Sequence, residues 1–212
     1  MDRTVFLIDG FNLYHSLIDA EKISKSKGTK WLDIKSLCIS YLSQVGNDAQ
    51  IEDIYYFSAI ACHYKRREPS KIKRHKDYIS CLEDSGIKIV LGRFKLRPIK
   101  CKRCNNRIKN YEEKETDVAI ASKLLELSFM NKCDSLVIMS GDTDLIPAIR
   151  TVKQHVKNKR IIIAFPYGRK NDDLIRIVHH HFKISLNMIQ KNQLPNPYIM
   201  QNGTHITKPV TW

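Results

Sequence analysis

Thr4-Val5-Phe6-Leu7-Ile8-Asp9-Gly10 is a short, β-favouring run, apolar from Val5 to Ile8, that stops at a carboxylate and a glycine. A strand without polar alternation is buried on both faces, which is the setting of a parallel sheet covered by helices. The pattern after it supports that setting. Gly10–Ala20 enters a helix, and Asp33–Gln44 has a capping aspartate and Gly46 to stop it. Further strands are expected at Asp53–Ile60, Ile87–Leu91, Ser135–Met139, Arg160–Phe165 and Phe182–Leu186. Between them, helices are expected at Pro69–Gly86, Glu113–Asn131, Leu145–Lys157 and Asp172–His181, with a basic loop at Lys95–Asn110. This alternation predicts an α/β fold: a doubly wound, mainly parallel sheet of five to six strands with helices on both faces. Residues 1–186 form the predicted domain. The remainder, 187–212, holds three of the seven prolines and is expected to be an extended tail lying on the domain or on a partner.

In open α/β sheets, ligands sit beyond the carboxyl ends of the strands. Asp9 ends the first strand, Asp142 and Asp144 follow the fourth, and Asp117 opens the helix leading into the fourth. With the first and fourth strands as neighbours, all four carboxylates share one crevice. Each also has a structural role open to it: Asp9-Gly10 and Gly141-Asp142-Thr143 as turns, Asp117 at a helix N-terminus, Asp144 as an N-cap. Capping does not require all four at the same end of a sheet.

The charge is divided along the chain. The total is +14, but Lys65–Lys109 holds 16 Lys and Arg against four acids, whereas Asn110–Leu145 holds eight acids against three lysines. A basic surface beside an acidic pocket suits a polyanion with divalent cations on it, although a basic face also serves solubility. No apolar run approaches the roughly 18 residues of a membrane span. The apolar stretch Val5–Ile8 ends too early for a secretory leader, so the six cysteines are expected reduced in a cytoplasm. No P-loop or dinucleotide glycine motif is found, and a nucleophilic-aspartate phosphatase would carry a second Asp where Phe11 stands.

Three stretches carry a family resemblance. Val5-Phe6-Leu7-Ile8-Asp9-Gly10-Phe11-Asn12-Leu13, Lys114-Glu115-Thr116-Asp117-Val118-Ala119 and Ser140-Gly141-Asp142-Thr143-Asp144-Leu145 resemble, in order, motifs of the NYN domains, a branch of the PIN-like nuclease superfamily. The resemblance spans Thr4 to Leu186. It implies a metal-dependent ribonuclease, an endonuclease by expectation, with Asp9, Asp117, Asp142 and Asp144 around Mg²⁺ or Mn²⁺ and Asn12 beside them. Glu115 is a less secure member, since on a helix it points away from Asp117. The chemistry agrees, because hard divalent ions take carboxylate oxygens and can both generate a hydroxide nucleophile and relieve phosphate charge. The alternative is a non-catalytic RNA-binding or regulatory module that keeps the fold.

Arg67, Lys71, Arg74 and His75 follow the second strand, and Arg93, Lys95 and Arg97 follow the third, so both groups are expected to hold RNA phosphates near the carboxyl edge. Tyr64, Tyr78 and Phe94 are candidates to stack on a base, with core packing open to Phe94. Cys101-Lys102-Arg103-Cys104 has the spacing of half a zinc site. Its remaining ligands would come from His63 and His75 or from a second copy across a homodimer; a free or redox-active pair is the other possibility. Cys38, Cys62, Cys81 and Cys133 are expected as buried apolar residues. On this electrostatic basis, RNA binding measured by fluorescence anisotropy should weaken by at least about tenfold between about 50 and 200 mM salt.

Overall fold

The computed structural model describes every residue except 25–27, 65–66 and 101–104. Strand β1 (Asp2–Asp9) lies inside a seven-stranded sheet of order β4-β3-β2-β1-β5-β6-β7. The others are β2 (Ala49–Ala59), β3 (Lys88–Lys100), β4 (Arg107–Lys114), β5 (Ser135–Met139), β6 (Arg160–Phe165) and β7 (His180–Lys183). All neighbours run parallel except β3 and β4. The chain leaves β1 for β2 on one side and later returns to pair β5 on the other, so the switch point falls at β1/β5, as the sequence order suggested.

Val5 to Ile8 are fully buried, and they divide between two cores. Phe6 and Ile8 pack with residues of α1 (Gly10–Ser24), α2 (Ile34–Ser40) and α4 (Pro69–Asp84). Val5 and Leu7 pack with α5 (Thr116–Phe129), α6 (Ile146–His155) and α7 (Asp172–Ile177). The predicted Asp33–Gln44 helix is two pieces: Asp33 caps α2 by accepting from the Ser36 N–H, and Tyr41 breaks the run before α3 (Leu42–Val45). Among the described residues, no helix is long and apolar enough to cross a membrane.

The strand count exceeds the expected five to six, and the reason lies in the basic segment. Most of the described part of Lys95–Asn110 is strand, with Asn105 and Asn106 outside it. β3 pairs with β2 through Lys88–Gly92, then changes partner and pairs antiparallel with β4 through Arg93–Lys100. Cross-strand backbone bonding holds this ribbon even though most of its side chains face water, so burial left little signal in the sequence. β4 also claims Glu112, Glu113 and Lys114, and the helix predicted from Glu113 starts at Thr116. Likewise β7 begins at His180, inside the helix expected to reach His181.

Residues 187–212 are not extended throughout. Leu186–Lys191 forms α8, capped by Ser185, and Tyr198–Ile199 pairs with His205–Ile206 as β8 and β9. Ile189 and Leu194 join the first core, Trp31 Nε1 donates to the Pro195 carbonyl at 3.1 Å, and Trp212 meets Trp31 and Tyr78 edge-on. Cys38, Cys81 and Cys133 are buried as expected, but Cys62 is exposed on a short 3₁₀ turn. Because Leu7 is enclosed on the sheet axis, Leu7→Ala should cost about 3 kcal/mol by denaturant titration. Ile23→Ala, at a residue 69% exposed, should stay within about 0.5 kcal/mol.

Candidate functional site

The sheet delivers Asp9 to the carboxyl edge with its side chain almost fully buried. A buried carboxylate needs donors, and the adjoining turns supply them. Asp9 Oδ1 accepts from the Asn12 N–H at 3.0 Å and Oδ2 from Ser140 Oγ at 2.8 Å. The Gly141 N–H donates to Asn12 Oδ1 and the Asp142 N–H to Ser140 Oγ, both at 3.1 Å. The Ser140–Asp9 and Gly141–Asn12 bonds tie the end of β1 to the end of β5, and the other two brace each turn. The contact tolerates no Cβ at its glycines. At Gly10 it would stand 2.5 Å from the Phe57 carbonyl oxygen, and at Gly141 2.3 Å from that of Arg169.

Beyond this junction opens a cleft of about 390 Å³ lined by Asp9, Asn12, Asp117 and Asp142, together with Phe11, His15, Glu113, Thr116 and Arg169. Burial raises the Asp117 carboxyl to about 6, and the negative charges of Asp9, Asp142, Glu113 and Asp144 add to the shift. Burial also pushes Asp9 up, with a contribution from Asp142, against the hydrogen bonds from Asn12 and Ser140. The cleft thus concentrates negative charge that a cation would relieve. No three of the described His, Cys, Asp and Glu side chains stand close enough to clasp an ion by themselves.

The predicted carboxylates do not behave alike. Asp9, Asp117 and Asp142 come together with Asn12. Asp144 is exposed and outside the lining, and its N–H donates to Asp142 Oδ1 at 2.9 Å. The cap of the 3₁₀ turn Thr143–Leu145 is therefore Asp142 and not Asp144. Glu115 sits at a left-handed φ of 81° between β4 and α5, and Arg93 holds its carboxylate at 2.7 Å, away from the cleft.

His15, Glu113 and Arg169 were not singled out in the sequence. His15 lies in the second turn of α1, a placement that helical spacing from Phe11 and Asn12, four and three residues earlier, could have suggested. Arg169 follows β6 at the same sheet edge, and its guanidinium donates to Asp19 at 2.6 Å. Glu113 had been assigned to a helix; as a strand residue it faces the cleft and accepts from the Thr116 N–H at 3.1 Å.

The basic residues split into two groups. Lys71, Arg74 and His75 line a second cavity next to the cleft, with His75 Nε2 3.2 Å from Ser58 Oγ. Arg67 and Lys95 are exposed, and Arg93 and Arg97 spend their charge on Glu115 and Glu112, each at 2.7 Å. Side chains alternate along the β3/β4 ribbon. Phe94, Tyr111 and Glu113 therefore face the cavities, while Arg93, Lys95 and Arg97 face away from them. Tyr78 is core: it is buried and its hydroxyl donates to the Leu32 carbonyl at 2.8 Å. The Cys101–Cys104 zinc expectation lies outside the described residues, and His63, one suggested partner, stacks on Tyr111.

The family profile described as the NYN domain matches residues 3–186. The chain belongs to the NYN domain family. The NYN domain here shares 25% identity with the 6-hydroxy-3-succinoylpyridine 3-monooxygenase HspA of Pseudomonas putida, over 99% of this chain and 75% of that protein. A protein of unknown function from Vibrio parahaemolyticus RIMD 2210633 matches in fold, with a TM-score of 0.57, 16% identity, and coverage of 88% of this chain and 94% of that one. The family gives the domain a nuclease-like fold; the relatives differ in what their names record.

Asp117 has a consequence for stability against pH. Its carboxyl titrates near 6 when folded and near about 3.9 when unfolded, so between these values the folded state holds the extra proton. Stability from this group is greatest below about pH 4 and is lost as pH rises through about 6. Asp117→Asn should therefore raise the melting temperature of metal-free protein at about pH 7.5, and the gain should vanish towards about pH 4 in scanning calorimetry.

Proposed function

We propose that this NYN domain is a metal-dependent ribonuclease, hydrolysing RNA phosphodiester bonds, by preference within the chain, at the cleft beyond β1 and β5. The observation that carries the proposal is the meeting of Asp9, Asp117 and Asp142 in one cleft, where burial, with the added repulsion of the neighbouring acids, raises Asp117 to about 6. The donor set is of hard carboxylate oxygens, and Mg²⁺ is held through one or two carboxylates with waters completing its shell, so the residues fit such an ion without a closed protein cage. Asp9, Asp117 and Asp142 would hold Mg²⁺ or Mn²⁺, with Asp144 reaching it through water. The ion would supply a hydroxide nucleophile and charge relief at the phosphate.

The remaining work belongs to the chain. Asn12 holds the Gly141 turn and thereby the approach of Asp142 to the cleft. Arg169, which lines the cleft and is held by Asp19, would take a phosphate oxygen. Arg67 and Lys95, with Arg93 and Arg97 once RNA competes for their acidic partners, would grip flanking phosphates and favour no sequence.

A second reading is supported by one observation, the likeness to HspA along nearly the whole chain. It would make this protein an oxygenating enzyme for a small substituted pyridine, and oxygen uptake dependent on a hydroxypyridine acid and a reductant would support it. RNA binding without cleavage under any divalent metal would instead assign the non-catalytic module. For the nuclease, Asp9→Asn and Asp142→Asn keep side-chain shape and should each lower Mg²⁺- or Mn²⁺-dependent cleavage of end-labelled RNA by about 100-fold or more. Full activity in both, with EDTA abolishing it, would move the site elsewhere.

A further inference from the structure

Beside the acidic cleft lies a larger cavity of about 520 Å³, within the size range of small-molecule sites. Phe11, His15 and Glu113 line both, so the two compartments share a wall. An aromatic path runs from that wall into the cavity. Phe94 meets Phe11 edge-on at 5.9 Å and His63 at 4.9 Å, and His63 lies flat on Tyr111, centroids 4.1 Å apart and planes within 5°. Tyr64 and Trp212 add further rings to the lining.

The polar groups in this cavity are mostly donors. Lys71 and Arg74 lie three residues apart on α4, hence on one side of it, and both line the cavity. Neither forms an ion pair with a described carboxylate; the Lys71 ammonium rests 4.0 Å over the Tyr64 ring, and Arg74 Nε is buried with no acceptor. His63 Nδ1 is likewise buried without a partner. Native interiors rarely leave such atoms unpaired, and a guanidinium keeps its charge at any ordinary pH. Glu113, the acid in the lining, is committed to Thr116 on the cleft side. Flat apolar walls with two unneutralised cations define the complementary ligand.

We infer that the cavity seats a planar aromatic ring carrying an anionic arm, the ring against Phe94 and the His63/Tyr111 stack and the anion on Lys71 and Arg74. Rings gain by offset or edge-on contact with such walls, and arginine binds phosphate or carboxylate by paired hydrogen bonds. Two sources supply this chemistry. One is a nucleotide of an RNA strand, its base in the cavity and its next phosphate across the shared wall in the acidic cleft. The other is a free heteroaromatic acid. The inference does not depend on the nuclease proposal, because no carboxylate of the metal site contributes to the ring seat or the anion seat.

The test is calorimetric titration of the full chain with uridine 5′-monophosphate and with nicotinate, using ribose 5-phosphate and nicotinamide as probes that lack the ring or the anion. At least one of the two ringed anions should bind saturably, and at least tenfold more tightly than its control. Arg74→Gln and Lys71→Gln, folded by circular dichroism, should each weaken it by about tenfold, as expected for a lost charge-assisted contact. Tyr111→Ala should weaken the ringed anion without changing ribose 5-phosphate. Preference for the nucleotide assigns the first source and preference for nicotinate the second. No saturable binding of either up to about 10 mM, equal affinity for the control, or unchanged affinity in both cation variants would overturn the inference. Asp9→Asn should retain the ligand affinity, so loss of RNA cleavage and loss of ring binding are read separately.

Discussion

A carboxylate buried at the end of a central strand is the constraint around which this molecule is organised. Asp9 stays in place because Asn12 and Ser140 satisfy its two oxygens, and those donors belong to the first turn of α1 and the turn after β5. Pairing of β1 with β5 sets the spacing, and close approach at Gly10 and Gly141 lets β2 and the turn after β6 crowd the same junction. Four stretches far apart in sequence are thus fastened at one point. The acidic cleft is what remains open beyond it. Asp9 and Asp142 each accept a bond from their own turn and line the cleft, so one side chain braces the backbone and faces the opening.

Charge is sorted across a single wall. On one side, burial and then the surrounding acids raise the Asp117 carboxyl to about 6. On the other, Lys71 and Arg74 lack a described carboxylate partner, and burial together with Lys71 keeps the neighbouring His63 below its ordinary range. Such a separation is costly unless each side is meant to be neutralised from outside, by a cation in one and an anion in the other. The wall itself is aromatic, with Phe11 against Phe94. A ligand reaching across it would meet both fields at once.

The sheet was legible where burial is strong. Ser135–Met139 and Arg160–Phe165 carry continuous apolar runs, and both strands have those bounds. The ribbon of β3 and β4 was not legible, because Phe94, Leu96 and Tyr111 alternate with charges that suggest a solvated loop and a helix start. That error carried over to Glu113, whose place in the cleft depends on its being a strand residue. The tail lies on the domain, but its helix and hairpin were not legible for a related reason. Its contacts, Leu194 in the core and Trp212 on Trp31, are long-range and leave no periodicity.

The sequence by itself determined the α/β class, the family, and the placement of Asp9, Asp117 and Asp142 at strand and helix ends that a first-to-fourth strand pairing brings to one sheet edge, with Asn12 just beyond. Strand periodicity and the rule for ligand sites in open sheets are local or topological, and both survive without coordinates. Only the tertiary structure decided which of these side chains face one another. It left Asp144 outside the cleft, gave Glu115 to Arg93, brought in Arg169 from the turn after β6, and enclosed Lys71 and Arg74 in an aromatic cavity. Those outcomes depend on side-chain direction and on contacts between distant segments. One residue of register along β3 and β4 would reverse which side chains face the cavities and which face solvent.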